Sequence, residues 1–328
     1  MKLASIRITR KLLLVLALLP IVTTGQIPGA IGVPTAGFLF DTNARAFRPI
    51  KGFIGSSALG DPIDMGRAFA SGFSLPDNRH ALAVFEEENS LMYLDFVARP
   101  MEMHAIPGTA TGITSYSISP TGKKVVLVDS AHQRLQVIAG FPSVPSLALD
   151  FSAPALPQGK LLRAAVNDGA TAILVIVSNG ETETIYRWNR STGFEVLAPT
   201  LGVESLTFVN DSNAVYADSL RNEVFLVHDL IEKPWVQYVA GKEDGIETPV
   251  AAASSGSEFH IANAATGTVL SFDVAGRLLR SQPCSCKLSR LSPIAPGTFV
   301  MTDQLHETIF VISGTGEQAR IAFIPPAK

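Results

Sequence analysis

From about residue 36 onward, the apolar positions of the chain fall in short runs that repeat one phrase. An apolar strand ends in an acidic or amide residue, a short polar turn follows, and a second strand places its first core residue six positions on. The phrase occurs seven times: Asp41 with Phe47, Glu86 with Met92, Asp129 with Leu135, Asn179 with Ile185, Asp218 with Val224, Asn263 with Val269, and Asp303 with Ile309. Successive starts lie 45, 43, 50, 39, 45 and 40 residues apart.

A mean of about 44 residues is the period of four-stranded propeller blades. Each repeat also carries the turn that two further strands need. Ser119-Pro120-Thr121-Gly122, Asn167-Asp168-Gly169, Asn210-Asp211-Ser212, Ser255-Gly256-Ser257 and Ala295-Pro296-Gly297 stand ahead of the acidic or amide position. Gly admits positive φ, Pro presets φ, and Asn or Asp hydrogen-bonds its own backbone, so the chain reverses there. The runs Val125-Val126-Leu127-Val128, Ile173-Leu174-Val175-Ile176-Val177 and Ile309-Phe310-Val311-Ile312 are short, β-branched and nearly continuous in apolar character. Strands covered on both faces read this way. No downstream stretch sustains a helical period, which argues against a bundle or a doubly wound α/β fold.

The pattern therefore predicts an all-β fold, a seven-bladed β-propeller of four-stranded antiparallel blades, with a six-bladed ring plus an extra hairpin as the runner-up. Residues 26 to 35 carry Pro28, Gly29, Gly32 and Pro34 and make poor strand material. The first blade is thus expected to lack a regular innermost strand. The ring would close by an irregular segment beside the seventh blade, whose outer strand reads as Ala319 to Ile324.

The N-terminus follows a different pattern. Lys2, Arg7, Arg10 and Lys11 precede the apolar run Leu12 to Val22, and Thr23, Thr24 and Gly25 follow it. This is the layout of a secretory signal peptide, with cleavage expected near Gly25 and Gln26. The run holds Pro20 and falls short of the roughly 20 apolar residues of a spanning helix. The expected organisation is a signal peptide over 1–25 and a single propeller domain over 26–328, secreted or periplasmic, with no stable membrane span after cleavage. An uncleaved anchor is the alternative.

Composition narrows the function classes. Of 328 residues, 47% are apolar and 17% charged, and the formal net charge is −3. Disordered chains have the opposite balance, and a nucleic-acid groove needs clustered Lys and Arg that this chain lacks. The low charged fraction suits blades packed face to face.

The phrase Val128-Asp129-Ser130-Ala131-His132-Gln133-Arg134-Leu135-Gln136-Val137 resembles the repeat of NHL-type β-propellers. The stretch from Ile261 through Asn263 to Asp273, and Tyr216-Ala217-Asp218-Ser219 leading to Val224-Phe225-Leu226-Val227, are similar to both that repeat and the YVTN-type repeat. The resemblance is short in each blade, extends over most of the mature chain and implies architecture. The tryptophan-aspartate dipeptide and the paired glycines of kelch blades are absent, and Trp188 and Trp235 do not recur in register.

The strand-end column of Asp41, Glu86, Asp129, Asn179, Asp218, Asn263 and Asp303 supports two readings. Its oxygens either accept turn N–H groups and fix each hairpin, or surround the channel mouth, where Ca²⁺ or Mg²⁺ takes such ligands. Resemblance to gluconolactonase-like propellers would then imply a metal-dependent lactone or ester hydrolase. Uniformity across the blades favours the first reading. No cofactor is predicted, and Ca²⁺ is the ion considered. Glu86-Glu87-Glu88 reads as a solvated loop tip, with Glu86 as a ligand in the alternative. Arg67, Arg163, Glu204 and Arg290 fall on predicted innermost strands, where their mixed signs allow internal pairing or an anion site.

His80, His104, His132, His228, His260 and His306 show no zinc spacing. No G-x-S-x-G phrase is present. His132 and His306 read as exposed turn residues. Cys284 and Cys286 allow a local disulfide, two free thiols or a soft-metal or redox site. Asn189 and Asn210 open N-x-S phrases that matter only in a glycosylating host. The favoured function is a non-catalytic binding or scaffold module, monomeric, using one face of the ring. Its partner would be a protein, a glycan or a small molecule, and not nucleic acid. Binding of a protein or polysaccharide would call for aromatic residues gathered on one rim.

Overall fold

A computed structural model describes residues 34–85, 90–98, 101–303, 305 and 307–326 of the chain. The segment read as a signal peptide, the run Glu86-Glu87-Glu88 and His306 lie outside the described residues. The remainder forms seven antiparallel sheets, six of four strands and the first of three. Each sheet is a meander of consecutive strands, over 35–59, 69–106, 115–152, 160–200, 203–240, 249–283 and 292–324. The only helical elements among the described residues are two 3₁₀ turns, Lys242–Asp244 and Gly316–Gln318. The chain is a seven-bladed β-propeller, and the six-bladed alternative is set aside.

The first blade comprises Thr35–Asp41, Ala46–Phe53 and Ser56–Leu59, without an innermost strand among the described residues. In the other blades the innermost strands are Phe69–Ser74, Ser115–Ile118, Lys160–Val166, Val203–Phe208, Pro249–Ser254 and Ser292–Ala295. Second strands are buried along almost their whole length, as in His80–Phe85, Ala172–Ser178 and Glu258–Asn263. Outermost strands such as Ser146–Ser152 and Leu278–Pro283 alternate or face solvent. Middle strands lie between two neighbouring blades, which explains their unbroken apolar runs; outer strands splay apart and admit water.

The core is a succession of seven apolar clusters, each filling the space between consecutive blades. The last brings Leu39 and Ile50 of the first blade against Val300, Val311 and Ile324 of the seventh. No strand of the first sheet pairs with a strand of the seventh among the described residues, and the contact described between the two blades is packing.

Polar contacts between turns add to the packing. Asp168 Oδ1 accepts from Ser119 Oγ at 2.6 Å and from the Thr121 N–H at 3.1 Å, across the third and fourth blades. One blade on, Asn167 Nδ2 donates to the Asp211 carbonyl at 2.8 Å and Gly169 N donates to Asp211 Oδ1 at 3.2 Å. Ser254 Oγ donates to the Val209 carbonyl at 3.1 Å.

Between the first two blades, Phe47 is fully buried, with ring centroids 5.3 Å from Phe40, 5.2 Å from Phe96 and 5.9 Å from Phe69. Gly72 of the adjacent inner strand makes room for it, since a Cβ there would stand 2.7 Å from Phe47 Cζ. Replacing Phe47 by Ala is expected to cost about 3 to 5 kcal/mol of unfolding free energy. Phe53→Ala, at a site 72% exposed, should change it by less than about 0.5 kcal/mol. Denaturant unfolding of both variants checks the pair; equal effects would mean that the interface does not carry the stability assigned to it.

Candidate functional site

The channel enclosed by the inner strands holds a cavity of about 660 Å³. Its wall mixes polar and apolar groups: Ser115, Ser117, Ser205, Thr207, Ser254 and Ser292 line it with Ala251, Ala253, Leu206, Phe208 and Phe299. Short side chains suit inner strands, which crowd towards the axis of the ring.

Four larger polar groups enter this lining. Arg163 donates Nη2 to Glu204 Oε2 at 2.7 Å and Nε to the Val203 carbonyl at 3.1 Å, joining the fourth and fifth blades. Arg290 donates Nε to the Thr302 carbonyl at 3.0 Å and stands 3.0 Å from Asp303 Oδ1. Tyr116 of the third blade lies parallel to Phe73 of the second, with ring centroids 3.7 Å apart and 9° between planes. Its hydroxyl lies near Ser292 of the seventh blade. Three steps round the ring separate those blades, so Tyr116 extends across the channel. Burial raises its phenol pKa, and the neighbouring Arg290 charge opposes that shift only in part. The group is a neutral hydroxyl at ordinary pH.

Of the inner-strand residues expected from sequence, Arg163 and Glu204 lie on such strands, Arg290 just ahead of one, and Arg67 ahead of Phe69–Ser74. Arg67 sits over the Phe85 ring, 5.4 Å from its centroid, rather than in the cavity lining.

None of the described column residues lines the cavity. Asp41 Oδ1 accepts the Asn43 and Ala44 N–H groups at 2.9 and 3.0 Å, and its Oδ2 takes Arg48 Nε at 2.6 Å. Asp129 accepts the His132 N–H at 3.1 Å and faces His132 Nδ1 at 2.7 Å. Asp218 holds the N–H groups of Leu220, Arg221 and Leu201 at 3.0 to 3.1 Å. Asn263 is buried, accepting from Glu247 N and donating to Thr268 Oγ1, both at 3.4 Å.

Two members differ from the expected pattern. In the fourth blade the strand ends one residue early, and Ser178 Oγ rather than Asn179 receives the turn N–H of Gly180 at 3.2 Å. Asn179 is exposed in the turn. Asp303 lies beyond the strand Thr298–Val300, exposed and facing Arg290. Glu86 lies outside the described residues.

Two groupings escaped the sequence reading. The first is a buried polar set in the sixth blade. Glu258 Oε2 meets Arg280 Nη2 at 2.8 Å, and His260 Nδ1 faces Ser271 Oγ at 2.9 Å on the paired strand. His260 Nε2 and Arg280 Nε are buried without a hydrogen-bond partner among the described residues. The Ser271–His260 pair has the contact of a nucleophile and base, yet both residues are fully buried, so no substrate reaches it. The signal that could have found it was two polar residues at facing positions of otherwise apolar strands. The second is an outer groove of about 520 Å³ between the third and fourth blades, lined by Phe151, Leu156, Tyr186, Trp188 and Phe194. Phe151 meets Trp188 and Phe194 edge-on at 5.2 and 5.6 Å, so these rings pack mainly on one another. Elsewhere, Cys284 and Cys286 are joined by a disulfide, with Cα atoms 5.1 Å apart.

No family model and no curated protein matches the chain. Solved structures do resemble it. A functionally unknown protein from Desulfotomaculum acetoxidans is 14% identical, with 89% of this chain and 99% of that one covered at a TM-score of 0.59. A streptogramin B lyase structure is 10% identical over 79% of this chain and 84% of that one, at 0.57. Hydrazine synthase of Kuenenia stuttgartiensis is 12% identical over 92% and 99%, at 0.53. At these identities the likeness is one of fold: the chain shares the propeller architecture, with no activity attached.

Burial, aided by Arg280, lowers the His260 pKa to about 4 from its ordinary 6.5. The unfolded chain therefore binds a proton between those values that the folded chain does not. Stability should fall as pH drops from about 6.5 to about 4, by about 3 kcal/mol from this group. His260→Leu should flatten that part of the curve. Unfolding of both proteins at pH 7 and pH 4.5 checks it, and an unchanged slope would remove His260 from the account.

Proposed function

We propose that the chain is an exported, non-catalytic binding module of the NHL or YVTN kind, which receives its ligand at the channel mouth bearing Arg163, Glu204 and Arg290. One contrast carries the reading. Column oxygens of Asp41, Asp129 and Asp218 are engaged by the N–H groups of turns and crossovers and stand off the cavity, whereas the channel groups line it. A metal-dependent hydrolase would gather three or more oxygens about one ion at roughly 2.3 to 2.6 Å. No cluster of three or more His, Cys, Asp or Glu suited to a metal occurs among the described residues.

Export is supported by the N-terminal pattern and by the Cys284–Cys286 pairing, which suits an oxidising compartment. Among the described residues no helix is long and apolar enough to cross a membrane.

Elemental analysis of the purified protein should find no stoichiometric metal, and adding Ca²⁺ or EDTA should leave the unfolding temperature unchanged. A bound divalent ion, or destabilisation by EDTA, would favour the hydrolase instead. Protein recovered from the medium or periplasm should begin near Gly25 or Gln26 on N-terminal sequencing; retention of Met1 there would argue for the uncleaved anchor. Fragment screening by NMR should place binding at the channel mouth, with shifts altered by Arg163→Gln and Glu204→Gln. Fragments gathering elsewhere on the ring would count against this face.

A further inference from the structure

The groups around Tyr116 narrow the ligand class, an inference that rests on the binding reading above. Arg290 uses Nε for the Thr302 carbonyl and Asp303, and its two Nη groups have no hydrogen-bond partner among the described residues. These groups share the cavity lining with Tyr116, Ser289 and Ser292. Arg290 also lies close enough to Tyr116 for its charge to act on the phenol.

Unmatched guanidinium donors beside neutral hydroxyls suit an acceptor-only group. A carboxylate matches the planar fork of Arg with two parallel hydrogen bonds. Asp303 at 3.0 Å already offsets much of the Arg290 charge, and Glu204 is paired with Arg163. These four side chains sum to no net charge, so the site offers directed donors without a surplus of positive charge; a single carboxylate is the smallest anionic load such donors can take, and a doubly charged phosphate would be further uncompensated.

The Tyr116 ring adds a second requirement. Phe73 covers one face, while the residue remains 37% exposed and lines the cavity. The part of the side chain left open offers a ligand apolar contact beside the hydroxyl. A volume of about 660 Å³ accommodates a small molecule.

We propose that the channel binds a small organic monoacid, its carboxylate held by Arg290 Nη donors and the Tyr116 hydroxyl and its apolar body lodged against the mixed polar and apolar wall of the cavity. Neither a metal nor a covalent step is involved.

The test is ¹⁹F NMR with 4-fluorobenzoate as probe and 4-fluorobenzamide as its neutral isostere. Benzoate should bind one to one and displace on addition of unlabelled benzoate, and the benzamide should bind at least about tenfold more weakly. Arg290→Gln should weaken benzoate by about tenfold or more, and Tyr116→Phe by several-fold. Arg277→Gln, at an exposed side chain on the outer edge, should leave it unchanged. Equal binding of the two probes, or no loss in Arg290→Gln, would overturn the monoacid assignment while leaving the channel as a binding site. Displacement by inorganic phosphate at lower concentration than by benzoate would overturn it in favour of a dianion. Absence of binding by both probes would also overturn it; if fragments of every charge then avoided the channel mouth, the wider binding reading would fall too. If Arg290→Gln does not fold, Tyr116→Phe and the comparison of the two probes still decide.

Discussion

Both faces of each middle strand must be covered by neighbouring blades, and the ring closes only if seven such interfaces fit in succession. Protein interiors tolerate little volume error, so a misfit at one interface is passed to the next. Here the burden falls heavily on the interface between the first and seventh blades. Leu39 and Ile50 pack there against Val311 and Ile324, with no strand shared between the two sheets among the described residues. The close approach of the two blades is visible at Gly37, where a Cβ would stand 3.0 Å from the Ile294 carbonyl oxygen.

The same geometry sorts the polar residues. Space between blades widens outward, so unbroken apolar runs occupy the middle strands, while the inner strands send large groups such as Phe69 and Phe73 into the interfaces and mix in short ones near the axis. A carboxylate at the end of a middle strand lies at the lip of a packed interface, partly withdrawn from water. It is stable there if its oxygens meet donors, and the turn that follows supplies them: Asp41 and Asp218 each accept two N–H groups within three residues. Buried charge carries a large desolvation cost unless hydrogen-bonded. That cost explains why Asp recurs in this position without implying that the column converges on anything. Convergence belongs to the channel, which is lined from the strands Ser115–Ile118, Lys160–Val166, Val203–Phe208, Pro249–Ser254 and Ser292–Ala295.

Architecture was legible in the sequence because it is periodic. The strand-end phrase marks local hairpins, and its recurrence gives the number of blades without knowledge of their arrangement. Legibility failed where the local phrase and the actual register separate. Asn179 satisfies the pattern, but Asn179 N donates to the Thr182 carbonyl and tightens the hairpin, passing the capping position to Ser178. Asp303 has the expected spacing, but the strand before it stops at Val300. Arg67 precedes its blade instead of joining the inner strand. The channel site was only half readable. Arg163, Glu204 and Arg290 could be selected as polar residues near inner strands, whereas Tyr116 carries no such mark. Its position depends on a blade three steps away, and no local pattern encodes that distance.

This dependence ties the candidate site to the ring itself. Tyr116 and Phe73 belong to the third and second blades, while Ser292 and Arg290 belong to the seventh. They come together only when the first blade has taken its place between the second and the seventh. A ligand touching Tyr116 and Arg290 together therefore binds the closed ring and has no comparable site on an opened one. By mass action, occupancy adds stability that grows with the logarithm of ligand concentration above its dissociation constant. The added stability acts on the closure between the first and seventh blades, because separating them divides the two halves of the site. Such a ligand would thus add to the packing of the first and seventh blades a second connection, made across the channel rather than along the rim.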